Sequence, residues 1–168
     1  MPKGLKETSS LIVISANISQ SVVNAFETSK VDLQLNPLDN EVFIVYGIDL
    51  DVGAPDLLVG TLTDSRLSVS TTARTSIGGI SNSNVLAQSK VVIQELGGAA
   101  AVTQFSSDSA PSTRLEYLGI ISTNDFFINI DATNNVNTVG GNVRLYGVRA
   151  KADSSIYAAL VQSEVLSA

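Results

Sequence analysis

The sequence predicts an all-β antiparallel sandwich of about eight strands on a Greek-key or jelly-roll route, a single jelly roll being the favoured form, followed by a short C-terminal helix. Three observations carry this expectation. The stretch Glu41–Val52 places apolar residues at Val42, Ile44, Tyr46, Ile48, Leu50 and Val52, and a period of two rich in β-branched residues is a strand signal. Further alternating runs recur along the chain, separated by Gly, Pro, Asn and Ser, with no helical period between them. Several connections are longer than hairpin turns, which favours a wrapped route over a simple meander.

The elements follow in order. Residues 1–10 read as a flexible arm, residues 11–152 as the sandwich and residues 153–168 as a helix or tail. Residues 11–18 form a first strand, and 22–26 extend it or turn. Val31, Leu33 and Leu35 alternate with Lys30, Asp32 and Gln34, the pattern of a half-buried strand. Asn36-Pro37-Leu38-Asp39-Asn40 is a turn, so residues 30–52 are expected as a hairpin. The long strand would span roughly 40 Å at about 3.3 Å per residue. Its Val42-to-Val52 register should be buried throughout. The other register opens with Phe43 and Val45 and closes with Asp49 and Asp51, so it should be covered at one end and wet at the other.

Gly53-Ala54-Pro55-Asp56 stops that strand, and residues 57–60 continue the loop. Residues 66–74 alternate again, and 85–96 read as a strand buried on both faces at Val91-Val92-Ile93. Residues 97–101 are a flexible link, 102–105 a short edge strand and 106–113 a polar loop around Pro111. Residues 115–121 and 126–130 flank the turn Thr123-Asn124 and predict a tight hairpin. Residues 134–141 are a loop tip. In the last strand, 143–152, the apolar phase changes between Leu145 and Tyr146 beside Gly147, which predicts a bulge or bend. Asp153 stands where it can cap a helix over Ser154–Leu166.

Composition removes whole classes of chemistry. The 168 residues include no Cys and no His, so disulfides, thiolate catalysis, a Ser-His-Asp triad and His-ligated metals are excluded. Charged residues make up only 15 %, below the usual quarter. Ser, Thr, Asn and Gln supply the polar surface, which is cheap to desolvate against other subunits. The net charge is -6 and the basic residues are scattered, dense only from Arg144 to Lys151. No basic arm is present to neutralise phosphates, so direct nucleic-acid binding is not expected. No segment reaches the roughly 18 apolar residues of a membrane span.

Little remains as candidate chemistry, and no enzyme, cofactor or catalytic residue is expected. Asp49, Asp51 and Asp56 are a weak Ca²⁺ candidate. Gly53 stands where a third oxygen side chain is needed, and a solvated strand end explains the acids more simply. The Gly pairs at 78–79, 97–98 and 140–141 lack the strand-to-helix context of a phosphate loop. Arg144, Arg149 and Lys151 are interface candidates that either decorate the last strand or pair with a neighbouring subunit. Tyr157, Leu160 and Val161 mark one side of the terminal helix, which either folds back on the sandwich or docks on a neighbour.

Two C-terminal stretches carry a resemblance. Phe126-Phe127-Ile128-Asn129-Ile130-Asp131-Ala132-Thr133 leads into Val143-Arg144-Leu145-Tyr146-Gly147-Val148-Arg149-Ala150-Lys151-Ala152-Asp153, and Tyr157-Ala158-Ala159-Leu160-Val161-Gln162-Ser163-Glu164 follows. This last third resembles structural proteins of uncultured aquatic viruses, and more broadly the single jelly-roll capsid proteins of tailless icosahedral viruses. The resemblance implies a virion protein that builds a shell through loop and terminal contacts with copies of itself, other virion proteins being further candidate partners. A receptor- or carbohydrate-binding fibre or adhesin module is the alternative, and a tail-tube or decoration protein a third.

Overall fold

The computed structural model describes residues 2–106 and 115–167. The loop expected over 106–113 therefore lies, after Ser106, outside the described residues. Ten strands and one helix are present among the described residues: β1 (Leu5–Glu7), β2 (Ile12–Ser19), β3 (Glu27–Asp32), β4 (Glu41–Val52), β5 (Leu62–Ser70), β6 (Val85–Leu96), β7 (Ala99–Ser106), β8 (Gly119–Ile121), β9 (Asp125–Thr133), β10 (Gly140–Ala152) and α1 (Ser154–Leu166). A 3-10 turn, Pro37–Asp39, precedes β4.

Strand order establishes the jelly roll. Set aside β1 and β7, and eight strands remain. The first pairs with the last (β2 with β10), the second with the seventh (β3 with β9), the third with the sixth (β4 with β8) and the fourth with the fifth (β5 with β6). Four nested antiparallel pairs then roll up, with β4 against β10 in one sheet and β5 against β9 in the other. The first sheet reads β1/β2-β10-β4-β8 and the second β3-β9-β5-β6-β7.

This route corrects two expected hairpins. Residues 30–52 do not pair with each other, because β3 joins β9 and β4 joins β10 across the sandwich. Likewise β8 and β9 lie in opposite sheets, and β8 is shorter than residues 115–121. Turn residues license a change of direction, and a jelly roll spends those changes on crossing between layers. Residues 97–101 also differ from expectation. Gly97 and Gly98, with φ of 62° and 91°, form a tight turn, and Ala99 already begins β7. The N-terminal arm contributes β1, held at the end of β10 with Leu5 buried.

Two apolar cores result. The main one fills the space between the sheets and includes Phe43, Val45, Ile48, Leu67, Phe126, Ile128, Ile130 and Leu145. The second lies on the outer face of the first sheet. There Ile156, Tyr157 and Leu160 of α1 cover Val42, Ile44, Val148, Ala150 and Ala152.

The second core explains the mixed patterns of β4 and β10. In β4, Tyr46 is an extra residue: Tyr146 pairs with Gly47 and Gly147 with Val45. The bulge turns the strand over. Val42, Ile44 and Tyr46 face the helix side, whereas Ile48, Leu50 and Val52 face the main core. The Val42-to-Val52 register is buried as expected, with Tyr46 half-buried, but it is divided between two cores on opposite faces instead of lying on one; Asp49 and Asp51 are exposed as expected. The bulge expected beside Gly147 is this register shift, between Tyr146 and Gly147. The apolar phase of β10 follows what covers each face: Val143 and Leu145 enter the main core, whereas Val148, Ala150 and Ala152 lie under α1 and Arg149 and exposed Lys151 take the other face.

Candidate assembly surface

The loops joining β2 to β3, β4 to β5, β6 to β7 and β9 to β10 gather at one end of the sandwich, as the nested topology requires. Side chains tie them together. Asn135 is the centre: its N–H donates to Asn24 Oδ1 at 2.8 Å, while Asn24 Nδ2 donates back to its carbonyl at 2.9 Å. Its own amide nitrogen donates to the carbonyls of Asp64 and Thr133, and its Oδ1 accepts from the N–H of Asp56. Asn24 and Asn134 hold φ of 57° and 60°, a conformation that Asn tolerates better than other side-chain-bearing residues.

Two carboxylates complete the network. Asp56 accepts from the N–H groups of Val136 and Asn137, at 2.9 and 2.8 Å, and from Asn137 Nδ2. These hydrogen bonds hold its pKa below the usual carboxylate value, the Asn137 side chain contributing most. Glu95 accepts from the N–H groups of Gly60 and Gly98, both at 2.6 Å, and its pKa is lowered by them. Gln20 clamps the β2–β3 loop to Val139 in both directions and donates to Ala25.

Above this polar frame the end is apolar. Val22, Leu57, Val59, Leu96 and Val136 are all exposed, Val59 at 89 %. Residues 20–26, 53–61, 96–98 and 134–139 contain a single charged side chain, Asp56, and the carboxylates at this end (Asp56, Glu95 and Glu27, which accepts from Ser21) are hydrogen-bonded to the loops. An apolar surface poor in charge can dock with little stripping of water from ions.

The structure distributes the sequence candidates. Asp49 and Asp51 accept from Tyr146 Oη and Asn142 Nδ2 on the outer face of the first sheet, whereas Asp56 belongs to the loop frame. The three acids are not brought together, and no group of three or more acidic residues among the described residues is placed to hold a metal ion. Arg149 faces its own chain, donating to the carbonyls of Leu33 and Gln34 and pairing with Glu41 at 3.3 Å. Lys151 pairs with Asp39 at 3.0 Å. Arg144 is exposed beside Asp49, its register partner. Tyr157 and Leu160 pack on the sheet, and Val161 is half-buried. No helix among the described residues is long and apolar enough to cross a membrane.

Sequence reasoning missed Glu164. Buried on α1, it accepts from the N–H and hydroxyl of both Ser122 and Thr123 in the β8–β9 connection. It also missed Asn135, whose role shows only once Asn24 and Asp56 are brought beside it.

Fold and surface together define a single jelly-roll β-sandwich with a helix-covered sheet and one end that is apolar and poor in charge. Solved structures similar to it include Desmodium yellow mottle tymovirus, at 12 % identity over 91 % of this chain and 93 % of that one, with a TM-score of 0.35. Cocksfoot mottle virus follows at 8 % identity, 84 % and 93 % coverage and a TM-score of 0.35. Turnip yellow mosaic virus is 11 % identical, with 92 % and 89 % coverage and a TM-score of 0.25. No family model and no curated protein sequence matches the chain.

Proposed function

We propose that this protein is a virion structural protein, a capsid subunit that assembles with copies of itself into an icosahedral shell. The observation that carries this reading is the loop end: four connections locked by internal hydrogen bonds, with exposed Val22, Leu57, Val59, Leu96 and Val136 and few charged groups, whose carboxylates are hydrogen-bonded within the loops. Exposed apolar residues gathered at one end mark an interaction site. Individual contacts in a shell need not be strong, because many identical ones act together. The test is size-exclusion chromatography with light scattering and negative-stain microscopy of the large fraction. The expected result is closed particles for the wild-type chain and loss of them in a Leu57→Ser/Val59→Ser variant that keeps its fold. A wild-type chain that stays monomeric at high concentration overturns the reading.

One observation favours a second reading, a carbohydrate-binding fibre or adhesin module. The uncovered half of the first sheet forms a hollow of about 680 Å³ lined by Ser15, Asn17, Asp49, Asp51, Asn142 and Arg144, with Tyr146 bonded to Asp49 at its side. Planar polar groups beside an aromatic ring suit a sugar. A glycan array with Arg144→Ala and Tyr146→Ala controls decides it.

A further inference from the structure

A sheet edge offers a row of unpaired N–H and C=O groups, and stable proteins defend it with charge, brevity, bulges or cover. Two edges and part of a third are defended in those ways. β3 carries Glu27, Lys30 and Asp32. β8 has three residues. On the remaining edge β1 carries Lys6 and Glu7; β2 beside it is uncharged, but it is packed at the corner against β3 and β9 and gives Ile18 to the main core.

β7 is different. Among the described residues it pairs with β6 alone. Residues 99–105 are exposed on both faces, Val102 and Phe105 each by more than half. Its sequence, Ala-Ala-Ala-Val-Thr-Gln-Phe-Ser, holds no charge, no Pro and no Gly. Among the described residues it is the strand that contributes nothing to either core.

The order of its residues indicates what fits against it. The first three are Ala and the next large ones are Thr103, Gln104 and Phe105, with Val102 between them. An antiparallel copy of the same strand, centred on Val102, sets Phe105 opposite Ala99, Gln104 opposite Ala100 and Thr103 opposite Ala101. Each large side chain meets a small one, as close packing of a cross-strand pair requires. No like charges are opposed. A two-fold contact is made by the same patch on both subunits, and this strand is complementary to itself.

We propose that β7 is a self-association strand, pairing with β7 of a second copy across a two-fold axis at Val102. The two five-stranded sheets then continue into one. This deepens the assembly reading and rests on it. The pairing uses main-chain hydrogen bonds for strength and the Ala/large alternation for register.

Because the chain has no Cys, single cysteines report the contact cleanly. Val102→Cys is expected to give a disulfide-linked dimer on mild oxidation. Thr103→Cys is expected to give none, since its own mate lies diagonally, beyond the roughly 7 Å between Cα atoms that a disulfide spans. A mixture of Ala99→Cys and Phe105→Cys chains should cross-link to each other, and neither to itself. Val102→Lys, which opposes two ammonium groups, is expected to weaken self-association at least tenfold with an unchanged urea midpoint. If that variant does not fold, the near-isosteric Val102→Cys result stands alone. Particles that form normally in Val102→Lys, with no cross-link at 102, overturn the proposal and leave the assembly reading intact. The same holds if the β7 amides that point away from β6 exchange slowly in the dilute monomer, which would mean that the chain covers its own edge. A chain that never self-associates overturns both.

Discussion

At the scale of single residues, two positions set what the fold tolerates. Gly147 lies opposite the bulge at Tyr46, and a Cβ there would meet the Phe43 ring and the Ile44 carbonyl oxygen. Phe43 is almost wholly buried and the carbonyl belongs to the strand ladder, so neither yields easily. Gly147→Ala should cost about 1–3 kcal/mol, the usual range for overpacking a core, read as a lower urea midpoint at constant slope. Glu164 is the converse case, a buried carboxylate that four donors require. Glu164→Ala leaves the N–H groups of Ser122 and Thr123 without their acceptor. A charge-assisted bond of this kind contributes about 1.5–3 kcal/mol. The expected outcome is loss of that order, with α1 becoming protease-sensitive before the sandwich unfolds, since β4 and β10 retain the main core beneath it.

At the scale of elements, the loop end responds to acid through Asp56 and Glu95. Both have folded pKa values lowered by hydrogen bonds to N–H groups, against about 3.9 and 4.3 in an unfolded chain. Carboxylates of this kind stabilise fully above the unfolded values, and that stabilisation is lost as the pH falls through the folded ones. The amides of Val136, Asn137, Gly60 and Gly98 should therefore lose exchange protection below about pH 4, while those of β4 and β10 hold. Asp56→Asn should remove the pH dependence at 136–137 and leave it at 60 and 98. These loops also mark where the sequence stops being legible. Strand β4 could be read residue by residue, because alternation is local. The bulge lies beside Gly147 as expected, but that its extra residue is Tyr46 of β4 could not be read, because this shows only where β10 pairs with β4. Thr123-Asn124 looks like a hairpin turn until Glu164, from the far end of the chain, is seen holding the preceding serine. Asn135 is one Asn among several in its loop; only the approach of Asn24 and Asp56 makes it the centre of the loop frame. In β10 the apolar phase change was visible, but its cause, cover by α1, lies in another element.

At the scale of the whole molecule, two forces could lead the self-association proposed above, and salt separates them. If ion pairs such as one between Arg144 and an acid of a second copy led the association, raising the salt from about 0.1 to 1 M would shorten the screening length from about 10 to 3 Å and weaken it. If apolar burial at the loop end leads, the same change relieves repulsion between copies of net charge -6 and association holds or strengthens. Temperature gives an independent reading. Hydrophobic association near 25 °C is driven by entropy and weakens on cooling, so particles should loosen near 5 °C and reform on warming. The loop end is poor in charge and its carboxylates are hydrogen-bonded within the loops, and Arg149 and Lys151 are paired within their own chain. The expected outcome is therefore assembly that tolerates 1 M salt and retreats in the cold, measured by light scattering across both variables. Dissociation in moderate salt at 25 °C would move the leading contact away from the loops and onto the charged half of the first sheet.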